Sequence, residues 1–283
     1  MAILQALSEH ITTFINDLSR DFSLLSDLPF QHNWYWMLLC LGFVPVNIIS
    51  EAMRWRVLLT NKIGLSYTVR AVLLGMSAGL LSPWRTLELP TRAWAISRKD
   101  NAISIREGLE AGVVSGIMIT ACIVCVGIVP LYLRFRSFLS SVTTKVIVGI
   151  LLLFFVLLAY KWWMKKRNIV RSVIVKNNHW LKAIGWTIVR YVCFYVQWYC
   201  ILHYVGCYIC LPEFIPLVAC YLLVITITPT VPIVDMPVRA TWAAVVFGTA
   251  YKDMALPSVA GTAIWLMNVI LPALIGLILF RKK

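Results

Sequence analysis

Apolar residues along this chain gather into long unbroken runs. Five of them, at 34–53, 111–133, 142–163, 181–205 and 257–280, are long enough to cross a hydrocarbon core, which takes about 20 helical residues. An open sheet is excluded there, because its unpaired backbone groups find no water in lipid. A barrel is disfavoured by the weakness of any alternation along the runs. The pattern therefore predicts an all-α polytopic membrane protein with about five full transmembrane helices. The first 33 residues differ. Ile3, Leu4, Leu7, Ile11, Phe14, Leu18, Phe22 and Leu25 recur at helical spacing with Glu9, Asp17, Asp21 and Asp27 among them, which predicts an amphipathic interfacial helix. They lack a basic start followed by an apolar core, so no cleavable signal is expected.

Two further apolar stretches are interrupted. The first approaches through 73–81 and breaks at Ser82 and Pro83, and Arg85, Glu88, Pro90 and Arg92 follow. The second approaches through 217–227 and breaks at Thr228 and Pro229, and Asp235, Pro237 and Arg239 follow. Proline removes a backbone donor and disfavours helix in the residue before it. Non-helical backbone at membrane depth survives only where protein or a wet cavity covers it. Both stretches are therefore read as re-entrant broken-helix hairpins. They also match each other: carboxylate-x-Pro-x-Arg-Ala recurs at a constant offset of 147 residues, from Glu88 to Asp235 and from Arg92 to Arg239. Such a match predicts an inverted repeat, with units at about 34–163 and 181–280 inside one transmembrane domain at 34–283, and a binding site near the midplane.

Charge sets the orientation. The chain is 60% hydrophobic, 13% charged and carries a net charge of +14. The basic residues lie between the apolar runs, at 54–70, at 161–182 and at the C-terminus, the bias of cytoplasmic loops. Nucleic acid is therefore not expected as a partner. This orientation puts the C-terminus inside, the N-terminal helix outside, and the two hairpins on opposite sides. Arg134 and Arg136 then fall outside, against the trend.

Within each motif the carboxylate and arginine are four residues apart and share a helix face. Pro90 and Pro237 are expected near the start of a half-helix, where proline is tolerated and backbone donors point at an anion. Arginine suits a phosphate, because its planar fork donates two parallel bonds. Arg85, Glu88, Arg92, Asp235 and Arg239 are accordingly the candidate substrate-binding residues. Either they meet a ligand, or the two pairs only neutralise each other and pin the hairpins. Glu51, Arg54 and Arg56 are read as snorkelling anchors at the inner end of the first crossing, and Arg190 as snorkelling or paired, with a place in the cavity lining as the alternative. Trp34, Trp36, Trp162 and Trp163 fit interfacial belts. His203, Cys207 and Cys210 have a spacing that suits part of a metal site, but cysteines in apolar runs are read as small packing residues. No cofactor or metal is expected. The motifs of metalloproteases, α/β-hydrolases and P-loop proteins do not occur, so no enzyme activity is expected.

These motifs carry a resemblance. The stretch Arg54-Trp55-Arg56-Val57-Leu58-Leu59 resembles the segment after the first crossing in the flippase-like, lysylphosphatidylglycerol-synthase transmembrane-region family. Pro83, Arg85, Glu88 and Arg92 match its proline, arginine, Gly-Glu and arginine pattern, with Trp84 and Leu87 in place of a small residue and a glycine. Asp235, Val238 and Arg239 are similar to its later acidic Gly-Val-Arg segment, with Pro237 in place of the glycine. The resemblance covers about 34–280. It implies translocation of a membrane lipid with a polar head between the leaflets of a bacterial cytoplasmic membrane, the head phosphate-containing and the lipid a phospholipid or polyprenyl-linked. Residues 1–283 hold no aminoacyl-transferase domain, so synthesis of the lipid is not expected of them. A non-transporting partner of a lipid-synthesising enzyme, a secondary transporter of a small anion, and a homo-oligomer stay open.

Overall fold

A computed structural model of the chain describes residues 34–59, 63–99, 103–135, 180–228, 230–251 and 254–281. Among them every regular element is helical. We number the helices α1 (Trp34–Leu58), α2 (Leu65–Leu80), α3 (Glu88–Lys99), α4 (Ile105–Phe135), α5 (Trp180–Tyr204), α6 (Leu211–Ile227), α7 (Pro232–Tyr251), α8 (Ala255–Trp265) and α9 (Leu271–Arg281). A π-helical segment, Leu266–Ile270, joins α8 to α9 in one continuous rod. Among the described residues three helical stretches are long and apolar enough to cross a membrane: Trp34–Leu58, Ile105–Leu133 and Ala255–Leu279. The fold is thus compatible with a helical membrane protein. The expected run at 142–163, the amphipathic segment at 1–33 and most of the basic loop at 161–182 lie outside the described residues.

Both interrupted stretches form two helices around a break, and the local chemistry explains each. In the first, Ser82 is extended (φ −118°, ψ 142°) because Pro83 follows it. Its hydroxyl bridges the break, donating to the Gly79 carbonyl at 3.3 Å and accepting from the Leu87 amide at 3.1 Å. Trp84 and Arg85 then adopt φ of 49° and 55°, the left-handed region that costs a side-chain-bearing residue about 1–2 kcal/mol. Glycine, which has no Cβ, would sit at position 84 without that cost. In the second break Thr228 is extended ahead of Pro229 and returns its hydroxyl to the Val224 carbonyl at 2.8 Å; Pro229 itself is not described. Pro90 stands in the first turn of α3, as expected. Pro237 does not open its helix: α7 begins at Pro232, so Pro237 falls in its second turn, because the turn after Thr228 ends sooner than the motif alone implies.

The helices pair across the two halves. α1 lies along α5, α2 packs on α3, and α6 on α7. The long rods cross over, α4 onto α6 and α9 onto α2. Glycines sit at these crossings. A Cβ on Gly127 of α4 would come within 2.8 Å of the Ala219 carbonyl of α6, and one on Gly276 of α9 would run into the Leu73 carbonyl and Ser77 hydroxyl of α2. Gly108 of α4 meets Ala93 of α3 in the same way, and Gly261 of α8 meets Ala243 and the Arg239 carbonyl of α7.

Two apolar clusters flank the middle of the bundle. One centres on Trp198, Tyr221 and Phe247, with Trp198 stacked on Phe247 at 4.8 Å. The other centres on Trp55, Ile96 and Val114. Large apolar side chains such as Leu38, Ile128, Val129 and Ile278 face outward, as a lipid-facing surface would have them.

Candidate functional site

Where the two clusters meet, charge is concentrated. Glu51 on α1 is 5% exposed and forms ion pairs with Arg54, Arg92 and Arg190. The Arg92 bond, from Nη1 to Oε1, is 2.7 Å long. Trp55 donates its indole N–H to the same oxygen at 3.1 Å. The Arg92 guanidinium lies over the Trp55 ring, 5.6 Å from its centroid, a cation–π arrangement. Four donors from α1, α3 and α5 thus converge on one carboxylate.

The first hairpin supplies the rest of this half. Arg92 also pairs with Glu88, its neighbour one turn back, and Glu88 pairs with Arg85 at 2.8 Å. The left-handed turn at Trp84 and Arg85 therefore brings Arg85 back over the start of α3. Room for these side chains comes from α2. A Cβ on Gly75 would collide with the Arg92 side chain, and one on Gly79 would press on Glu88 at 3.1 Å. Hence Arg92 is buried, its side chain only 5% exposed.

In the second hairpin Asp235 accepts from three donors: Arg239 Nε at 2.9 Å, the Thr230 hydroxyl at 2.9 Å and the Trp265 indole at 2.8 Å. Leu222, not glycine, stands on α6 at the motif offset of 147 residues from Gly75. The Arg239 side chain correspondingly remains 24% exposed.

The charged cluster of the first half and Arg239 of the second border two adjoining cavities of about 350 and 380 Å³. Both are lined by Glu51, Arg85, Glu88, Arg92, Arg190 and Arg239. The first opens between α1, α2 and the π-helical segment, past Val72, Met76 and Val269. The second opens between α4, α5 and α6, past Ile119, Ile123 and Ile225. Each is therefore polar at the arginine cluster and apolar away from it. Amide side chains border the first cavity. Asn268, on the π-helical segment, accepts from Asn47 at 2.9 Å and donates to Gln197 at 3.1 Å. A π-turn widens the rod and turns such a side chain inward.

The structure thus brings together all five residues singled out from the motifs. It corrects the reading of Glu51 and Arg54, which are not anchors at an interface. Arg54 is 2% exposed and paired within the cluster, because α1 runs on to Leu58 and carries both residues into the bundle beside α5. Arg56 keeps a peripheral role, donating to the Ile63 carbonyl at 2.9 Å. Arg190, left between snorkelling and pairing, is paired. The signal for Glu51 and Arg190 is present in the sequence: ionisable residues within long apolar runs ordinarily face a cavity or a partner. His203 bonds the Tyr199 carbonyl through Nδ1 at 2.9 Å and packs on the Trp36 ring, and Cys207 is buried while Cys210 is exposed. Among the described residues no three His, Cys, Asp or Glu side chains gather in a way that could hold a metal ion.

No protein-family model matches the chain. No curated protein and no solved structure is similar to it at a significant level. The site therefore rests on its own geometry.

Proposed function

We propose that this chain moves a lipid with a phosphate-containing head group between membrane leaflets. The observation that carries the reading is the arginine cluster at the meeting point of two cavities that turn apolar away from it. Arginine forks bind phosphate oxygens bidentately, and apolar walls accept a chain. A cavity on each side of one charged centre suits a head group that enters from one leaflet and leaves to the other. The Nε atoms of Arg54, Arg92 and Arg190 are buried without a hydrogen-bond partner, so donor capacity remains in the cluster.

In this reading the two halves form an inverted repeat. Its support is the exchange in helix pairing: the rod of each half packs on the first hairpin helix of the other, with Gly127 and Gly276 at the two crossings. Both hairpins are then re-entrant, from opposite sides of a cytoplasmic membrane, with the C-terminus inside. Cysteines introduced at Ser66 and Asn101 are expected to label from the inner side and those at Glu213 and Lys252 from the outer side. A pair that splits across the membrane would remove the inverted repeat.

The transport reading is tested by reconstitution of the full chain in liposomes with a fluorescent phospholipid and a labelled polyprenyl phosphate. Transfer between leaflets is expected for at least one of them. Arg92→Lys and Arg239→Lys keep the charge but lose the fork, so each should slow transfer, and Arg→Gln should slow it further. Liposomes that take up a free anion without moving lipid would indicate a small-anion transporter. Transfer of neither lipid nor anion by the folded chain would leave a non-transporting partner of a lipid-synthesising enzyme.

A further inference from the structure

The charge balance of the cluster narrows the head group. Five arginines border the cavities: Arg54, Arg85, Arg92, Arg190 and Arg239. Three carboxylates answer them, Glu51 and Glu88 in the cavity walls and Asp235 bonded to Arg239. Two positive charges are left over at the described site. Arg54 and Arg92 are 2% and 4% exposed, and the side chains of Arg85, Arg190 and Arg239 are 31%, 23% and 24% exposed, so the surplus is partly withdrawn from bulk water, where an unanswered charge is costly. Glu51 illustrates the imbalance, since one carboxylate serves three guanidinium groups.

Resting on the transport reading, we infer that the head group is doubly anionic, a terminal phosphate monoester or a diphosphate, and not a phosphodiester with one charge. A doubly charged phosphate closes the balance. A phosphodiester such as that of phosphatidylglycerol leaves one charge unanswered, and a zwitterionic head brings a cation towards Arg190 and Arg239. The acyl or prenyl chain leaves along Ile119, Ile123 and Ile225 on one side or along Val72, Met76 and Val269 on the other.

The test compares short-chain lipids of one acyl length on the purified full chain in detergent, with binding followed by tryptophan fluorescence. Dihexanoyl phosphatidic acid carries two charges, dihexanoyl phosphatidylglycerol one, and dihexanoyl phosphatidylcholine none net. Inorganic phosphate and pyrophosphate serve as chain-free anions. Phosphatidic acid is expected to bind more tightly than phosphatidylglycerol by on the order of tenfold or more, since one further charge near guanidinium groups is worth at least that. Phosphatidylcholine should bind more weakly still, and the chain-free anions should bind well below phosphatidic acid.

The ratio should also depend on pH. The second ionisation of a phosphomonoester lies at about 6, so from about pH 8 to about pH 5 phosphatidic acid loses its second charge and its advantage should shrink towards unity. Any loss of negative charge at Glu51, Glu88 or Asp235, the carboxylates at the site, would favour the doubly charged lipid and raise the ratio, opposite in sign to the expected fall. Tyr221 of α6 and the five arginines also face the site. Arg85→Gln, at a side chain 31% exposed, removes one of the surplus charges in a variant expected to fold, and should lower the ratio at high pH. Phosphatidylglycerol binding as tightly as phosphatidic acid would overturn the doubly anionic head while leaving lipid transport standing. Pyrophosphate binding as tightly as phosphatidic acid would overturn both, in favour of a free anion. Absence of binding by every lipid, with the tryptophan spectrum of a folded chain, would overturn both as well.

Discussion

Glu51→Gln is expected to be among the most destabilising single substitutions in this protein. The carboxylate receives Arg54, Arg92, Arg190 and the Trp55 indole at once. A glutamine of the same shape keeps one acceptor oxygen but removes the charge that holds three cations together. Breaking a buried ion pair from one side costs about 3–5 kcal/mol, because the partner charges stay buried. For a chain of this size that corresponds to a fall in Tm on the order of 10 °C. An exposed carboxylate provides the contrast. Glu213 is exposed in the first turn of α6, and Glu213→Gln should change stability by less than about 1 kcal/mol. The measurement is thermal unfolding in detergent followed by tryptophan fluorescence. Equal Tm values for the two variants would mean that the arginines round Glu51 are neutralised by water and not by it.

The same variant separates a purely structural cluster from an anion site. Without Glu51 the surplus at the cluster rises from two charges to three. A bound anion stabilises the folded form in proportion to its affinity, so a doubly charged lipid should raise the Tm of Glu51→Gln by more than it raises that of the unaltered chain. A cluster closed to ligands would give no lipid-dependent shift in either.

Why the hairpins were legible in the sequence and the partners of Glu51 were not has a physical answer. The breaks are local events. Ser82 before Pro83 and Thr228 before Pro229 dictate extended backbone whatever surrounds them, and the structure has helix ends at both. The four-residue spacing in Glu88–Arg92 and Asp235–Arg239 likewise produces pairing from helix geometry alone. Glu51 depends on tertiary placement. Next to Arg54 and Arg56 it has the composition of an interface anchor, and only the packing of α1 against α5 and α2, with α3 on α2, brings Arg190 and Arg92 to it. The cross-over of the rods is equally non-local. Gly127 and Gly276 are unremarkable residues in apolar runs until the carbonyls of α6 and α2 lie against them. The left-handed backbone at Trp84 and Arg85 runs against residue preference altogether. Backbone held in that region persists only where its surroundings over-determine it, and it concentrates at functional sites. Here it returns Arg85 to Glu88.

The decisive comparison between a working site and a neutralising one lies in the paired motif. Removing Asp235 alone, as Asp235→Asn, strands Arg239 and leaves the Thr230 and Trp265 donors with a weaker acceptor. Removing Arg239 alone, as Arg239→Gln, leaves Asp235 buried at 5% exposure with only neutral donors. Each single variant should lose stability, the second more, because Asp235 is the deeper of the two groups. The double variant restores neutrality, and a buried pair replaced on both sides recovers much of the loss. Stability and transport then diverge. If the pair only pins α7, the double variant should recover transport together with Tm. If Arg239 meets the phosphate, Tm should recover while lipid transfer in liposomes stays at least about 100-fold below that of the unaltered chain, the loss of one bidentate charge-assisted contact of roughly 3 kcal/mol. Glu88→Gln with Arg92→Gln provides the same cycle in the first half, where recovery of Tm should be smaller because Arg92 also serves Glu51. The coupling energy from the two cycles, read once by unfolding and once by transfer, is expected to be large in the first readout and lost in the second. Arg239 remains 24% exposed beside both cavities, whereas Arg92 is held under Gly75, so the divergence should be clearest in the second half.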